Sequence, residues 1–130
     1  MERTLVFLKP DAIEKKIVGK IIARFEKNGF GISEMKFSRL DRETAYEHYE
    51  HIKSLPFFEE MIDYVVSGKI LFMILSGENV ISEIRKMIGS TRDAVKGTIR
   101  GDFGSDNYKN IIHASDCSES AEIEIKRFFH

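Results

Sequence analysis

Cysteine is almost missing from this chain. Cys117 is the only one among 130 residues, so no intramolecular disulfide can form, and a lone thiol is expected of a reducing compartment. No secretory leader is expected either, since Met1-Glu2-Arg3-Thr4 runs straight into an apolar strand pattern. Both point to a cytoplasmic protein. The longest apolar runs are far too short to span a bilayer, so no membrane partner is expected. There are two prolines and no tryptophan, and no repeat, low-complexity tract or Pro/Ser-rich linker divides the chain. We therefore read residues 1–130 as one domain. Charge of one sign is lacking as well, since 20 Lys+Arg against 21 Asp+Glu leave a net −1. That excludes a global basic footprint, and no specific nucleic acid is expected as partner. An anionic ligand would need a local cluster of cations. The P-loop is excluded because both Gly-Lys pairs, Gly19-Lys20 and Gly68-Lys69, are followed by isoleucine. The glycine-rich set of protein kinases is absent too.

What is present is a regular alternation of strand and helix signals. Thr4 to Leu8 reads as a buried strand ended by Pro10. Ile17, Ile21, Ile22 and Phe25 recur at helical spacing before Gly29. Gly31 to Ser38 alternates as a strand, with Ile32, Met35 and Phe37 toward the core. Asp41 is placed to cap a helix running to about Ile52. Pro56 introduces another, whose apolar side carries Phe57, Phe58, Met61, Ile62, Val65 and Val66. Ile70 to Leu75 is a continuous apolar strand, and Val80 to Ile88 a helix stopped by Gly89. Residues 89–109 look irregular. Asn110 to Ala114 reads as a fourth strand, and Ser118 caps a last helix with the stripe Ala121, Ile125, Phe128. Without the extra helices the order is βαββαβ, an α+β ferredoxin-like arrangement. It implies a four-stranded antiparallel sheet covered by helices, expected here on one face.

Two segments carry candidate chemistry. The irregular stretch gathers Thr91, Arg92, Lys96, Arg100 and Lys109, with Arg85 just upstream. Arginine forks match phosphate oxygens, and long loops are often functional; a solvated basic loop is the plainer reading. The second segment is Asn110-Ile111-Ile112-His113-Ala114-Ser115-Asp116. Alternation places Ile111, His113 and Ser115 on one face and Asn110 on the other. A histidine there can be a satisfied core residue. It can also be a nucleophile toward phosphorus, since an imidazole with a pKa of about 6.5 is mostly neutral at pH 7. Its second nitrogen would then need a partner, for which Glu124 is a candidate. His48 and His51 are three apart on a helix and offer two metal ligands without an evident third, so a solvated face is the simpler reading.

The His113 segment closely resembles the active-site signature of nucleoside diphosphate kinases. Three further blocks match in order: Leu8-Lys9-Pro10-Asp11, then His48-Tyr49 with Pro56-Phe57-Phe58, then Gly97-Thr98-Ile99-Arg100-Gly101-Asp102-Phe103. The resemblance covers essentially the whole chain. It implies a phosphohistidine at His113, with Glu124 orienting the ring and Ser115 bonded within that group. It implies that Lys9 meets the transferring phosphate with Tyr49 beside it. Arg85, Thr91 and Arg100 would hold the β- and γ-phosphates, Asn110 the sugar hydroxyl and Lys9, and Phe57 the base. The implied partners are nucleoside tri- and diphosphates. The implied cofactor is Mg²⁺, held mainly by the nucleotide phosphates rather than by a protein cage, with Asp116 reaching it through water. The family's hexamer implies a homo-oligomer, with a tetramer or dimer as alternatives. Ala114 replaces the usual glycine after the histidine, and the segment from Thr91 to Arg100 is shorter than in most members and lacks their prolines. Two readings from other classes remain at this point: a ferredoxin-like module that binds nucleotides without turnover, and a nucleic-acid-binding or regulatory scaffold.

Overall fold

A computed structural model describes residues 1–91, 93–104 and 109–129. Four strands, β1 (Glu2–Leu8), β2 (Gly31–Arg39), β3 (Lys69–Gly77) and β4 (Ile112–Ala114), form one antiparallel sheet in the order β2-β3-β1-β4. The helices are α1 (Pro10–Glu14), α2 (Val18–Lys27), α3 (Arg42–His48), α4 (Phe58–Val65), α5 (Val80–Ile88), α6 (Ile99–Phe103) and α7 (Ser118–Phe128), with a 3₁₀ turn at Glu50–Ile52. This is the ferredoxin-like order expected of the sequence.

The helices cover both faces of the sheet, which corrects the one-face expectation. Val6, Leu8, Leu71, Met73, Leu75, Ile112 and Ala114 pack with Ile21, Phe25, Ile84 and Ile88 of α2 and α5. Leu5, Phe7, Ile70, Phe72 and Ile74 pack with Ala45, Met61, Ile62 and Val65 of α3 and α4. Helix α7 straddles the two, with Ala121 in the first cluster and Ile125 and Phe128 in the second. The physical reason lies in the central strands. Residues Leu5 to Leu8 and Ile70 to Leu75 are apolar at every position, and a strand without alternation needs cover on both sides.

Other differences are local. Pro10 starts α1 rather than merely ending β1, because its ring suits the first helical position. The helix capped by Asp41, whose carboxylate accepts from Thr44 N at 2.9 Å, ends at His48 instead of near Ile52. Cys117, not Ser118, occupies the N-cap of α7. Met35 and Phe37 are 47% and 52% exposed rather than in the core, since β2 is an edge strand with a register shift between Ile32 and Glu34. Inside the stretch expected to be irregular, Thr98 caps α6 by accepting from Gly101 N at 3.0 Å. Arg92 lies outside the described residues.

Candidate active site

His113 is the middle residue of β4 and pairs with Phe7 of β1. Its ring stacks on Phe7 at 4.8 Å between centroids and meets His48 edge-on at 4.6 Å. Its Nε2 lies 2.7 Å from Glu124 Oε1 on α7, and the same oxygen accepts from Ser115 Oγ at 2.8 Å. An ionised carboxylate can only accept, so Nε2 carries the proton and Nδ1 keeps its lone pair. Burial lowers the His113 pKa below its ordinary value; Glu124 opposes that shift, and the Lys9 and Arg100 charges add to it. The ring is thus neutral at neutral pH. Burial pushes Glu124 upward, but the bonds from His113 and Ser115 and the charge of Arg127 outweigh it and hold the group below the usual carboxylate range.

Around this ring a cleft of about 390 Å³ opens. Lys9, Tyr49, Phe57, Arg85, Thr91, Arg100, Asn110, His113 and Glu124 all line it, so nine of the ten residues expected to serve catalysis or nucleotide binding share one cavity. The tenth, Ser115, is fully buried behind Glu124. The cations differ in how they are held. Lys9 is 7% exposed, and its Nζ donates to Asn110 Oδ1 at 2.7 Å. Burial first, then the Arg100 charge, lower its pKa to about 7, while Asp11 opposes. Arg100 donates to the carbonyls of Gly89 at 2.9 Å and Ile112 at 2.6 Å. Burial and the neighbouring Arg85 bring it down to about 10, so it stays charged at neutral pH. Arg85 lies nearer the rim, where its guanidinium is 3.2 Å from Ala114 O and 3.2 Å from Asp116 Oδ1. Burial pushes the Tyr49 phenol well above its ordinary value. Lys109, grouped with these cations in the sequence, instead stands over the Tyr64 ring at 5.5 Å.

Asn110 and His113 reach the same cleft although strict alternation separates them. The strand begins only at Ile112, and Ile111 has φ of +78°. Ile111 therefore turns into the α2/α5 core, away from His113, contrary to the expected shared face. A β-branched residue in the left-handed region is an outlier and costs on the order of 1–3 kcal/mol. Ala114 needs no such conformation: it is an ordinary buried strand residue, so the missing glycine has no backbone consequence.

Three contributors escaped the sequence reading. His48 is 5% exposed rather than on a solvated face, and it lines the cleft. Its Nδ1 lies 2.9 Å from Arg127, a donor, and burial drives its pKa far below the ordinary value. Phe7 underlies the His113 ring. Asp11 accepts from Ile111 N at 3.0 Å. The pairing of β1 with β4 brings Phe7 and Asp11 to the site, and the packing of α3 against β1 and α7 brings His48; no spacing in the sequence announces either. Among the described residues, His48 meets Glu124 and His113 rather than His51, with ligand atoms within 4.8 Å of one another. The bond from Arg127 leaves His48 Nε2 protonated, and Glu124 is committed to His113 and Ser115. As arranged, this group offers a metal little.

Comparison with known proteins identifies the family. A sequence model of the family described as Nucleoside diphosphate kinase matches residues 2–130. The nucleoside diphosphate kinase of Acetivibrio thermocellus is 57% identical over 99% of this chain and 96% of its own. That of Methanocaldococcus jannaschii is 55% identical over 98% and 93%. Among solved structures, the Aquifex aeolicus nucleoside diphosphate kinase superposes with a TM-score of 0.92 at 42% identity, covering 99% of this chain and 95% of that one. The Halobacterium salinarum nucleoside diphosphate kinase in complex with CDP gives 0.95 at 39% identity over 98% and 87%. No helix among the described residues is long and apolar enough to cross a membrane. With the fold, the cleft and relatives along its whole length in agreement, the chain belongs to the nucleoside diphosphate kinase family and is an enzyme of nucleotide phosphotransfer.

Proposed function

We propose that this protein transfers the γ-phosphoryl group of a nucleoside triphosphate, usually ATP, to a nucleoside diphosphate by a ping-pong mechanism through a phosphohistidine at His113. The whole chain acts as one catalytic domain in the cytoplasm, and the reaction maintains nucleoside triphosphate pools with broad base specificity. The observation that carries the proposal is a neutral imidazole whose proton is fixed on Nε2 by Glu124, in a cleft shared with Lys9 and Arg100.

The Nδ1 lone pair attacks the γ-phosphorus as the bond to the β–γ bridging oxygen breaks, and the diphosphate leaves with that electron pair. Nε2–H stays on the ring, and Glu124 stabilises the charge that develops there. A second diphosphate enters the same cleft, its terminal oxygen attacks the phosphohistidine, and Nδ1 recovers its pair. Such transfer is mainly positioning and charge stabilisation. Lys9, placed by Asn110 and flanked by Tyr49, meets the transferring group. Arg85, Thr91 and Arg100 hold the β- and γ-phosphates, and Asn110 also takes a sugar hydroxyl. The base stacks on Phe57, a contact every base can make.

Mg²⁺ fits the donors present. Apart from the committed Glu124, the carboxylate lining the cleft among the described residues is Asp116, three-quarters exposed at the rim. The ion would be held mainly by phosphate oxygens, with Asp116 reaching it through water; when bound it neutralises phosphate charge. We further propose a homo-oligomer, a hexamer by family analogy, or else a tetramer or dimer. The edge strand β2 supports self-association, because it presents Met35 and Phe37 to solvent.

Incubation with γ-labelled ATP is expected to leave an acid-labile, alkali-stable label on the wild-type protein and none on His113→Ala; equal label in both ends the proposal. Lys9→Ala and Arg100→Ala are each expected to lose turnover by roughly 10²–10³-fold, as removed charge-stabilising groups do; steady-state transfer from ATP to a second diphosphate reads the loss. Phe57→Ala is expected to weaken purine and pyrimidine nucleotides alike, by about 1–3 kcal/mol in titration, and a loss confined to one base contradicts simple stacking. Sedimentation is expected to show a species at least twice the protomer mass, and a monomer at all concentrations removes the oligomer.

A further inference from the structure

Asp11 takes no part in the steps above, yet it is 6% exposed and stands at the back of the site. Its Oδ2 accepts from Ile111 N at 3.0 Å, across 100 residues of chain. On the other side of the same residue, Ile111 O accepts from Lys9 N at 2.8 Å. The left-handed Ile111 is therefore gripped at both peptide groups by the segment Lys9-Pro10-Asp11. Asp11 is itself anchored, for its N–H donates to Tyr64 Oη at 2.8 Å. Burial and a hydrogen bond with the Asp11 side chain raise the Tyr64 phenol above its ordinary value. The clamp matters because the conformation of Ile111 is what lets Asn110 reach Lys9 while His113 keeps its place in β4.

We infer that Asp11 is a positioning residue for phosphotransfer: by holding the left-handed Ile111 peptide it brings Asn110 and Lys9 to the side of the cleft that His113 occupies. The inference rests on the reaction proposed above. The same carboxylate also acts on Lys9 as a charge. The charges that bear on Lys9 are Arg100 from α6 and Asp11 from α1; His113 of β4 and His48 of α3 are themselves held toward the neutral form, in part by Lys9. Burial and Arg100 bring Lys9 down to about 7, and Asp11 opposes them. Loss of that negative charge makes Lys9 give up its proton at lower pH.

Two variants separate clamp from charge. Asp11→Asn keeps an oxygen that can accept from Ile111 N but removes the charge, whereas Asp11→Ala removes both. The single-turnover rate of His113 labelling by γ-labelled ATP is expected to fall about 10–100-fold in Asp11→Ala, the range for misplaced reacting groups. In Asp11→Asn it should stay within about threefold of wild type at pH 6, while the alkaline limb of its kcat/KM profile, which reports the free enzyme, moves to lower pH. Glycine adopts positive φ freely, so Asp11→Ala with Ile111→Gly should regain part of the lost rate if that variant still shows a cooperative melt. Labelling of Asp11→Ala at the wild-type rate overturns the inference, and so does an unshifted profile in Asp11→Asn together with equal losses in the Asn and Ala variants. A wild-type protein that takes no label defeats the parent reaction instead.

Discussion

The bond between His113 Nε2 and Glu124 governs the rest of the site, because it decides what the imidazole is. Without a carboxylate at 2.7 Å the ring could carry its proton on either nitrogen. With it, the tautomer and the ring plane are set together, and Phe7 beneath the ring removes the remaining freedom to tilt. Ser115 shares the same carboxylate oxygen, so the group that orients His113 is itself oriented. A buried carboxylate without partners would tend to take up a proton. Glu124 keeps its charge because two donors and Arg127 meet it. The state of the imidazole is therefore a property of helix α7, which supplies Glu124 from its cleft side and seats Ile125 and Phe128 in the core.

The sheet explains how such a group can exist in the interior. Strand β1 is buried on both faces and pairs on both edges. A polar side chain on its neighbour β4 is thus held among apolar groups, and burial pushes His113 toward its neutral form. The same burial acts against the cations. It lowers Lys9 and Arg100 as well, so a cleft that favours a neutral imidazole also works against the charges proposed to receive phosphate. The structure meets that conflict with fixed hydrogen bonds: Asn110 to Lys9, and two backbone carbonyls to Arg100.

Much of this was legible in the sequence where local pattern decides the outcome. The stripe Ala121, Ile125, Phe128 follows helical spacing, and all three residues are buried. Ile70 to Leu75 reads as a strand because nothing interrupts its apolar character. The continuous run carried a further message, burial on both faces, that the one-face expectation left unused. His113, Glu124, Arg85, Thr91 and Arg100 were legible as candidates from their own chemistry, whereas Lys9, Tyr49, Phe57 and Asn110 were legible only as parts of blocks matching a family. His48 shows why. On a helix between glutamate and tyrosine it has a solvated pattern, and only the packing of α3 against β1 and α7 buries it. Ile111 was hidden for a different reason. Alternation is a rule for extended backbone, and one residue at positive φ changes which face every later side chain takes.

The two deep cations are chemically distinct, and their placement follows from that difference. Arginine has five donors on a rigid plane, so Arg100 can spend two on Gly89 and Ile112 and still bring a positive charge to the cleft wall. Those two bonds also tie the loop after α5 to β4, making one side chain both a staple and a charge. Lysine is a point charge on a flexible stem, and it needs an external group to aim it, here Asn110. It is also easier to deprotonate: burial leaves Arg100 near 10 but takes Lys9 to about 7. An anionic ligand entering the cleft adds negative charge where it favours the ammonium most. Lys9 is thus the group whose charge depends on what occupies the site, while Arg100 supplies a charge that is present beforehand.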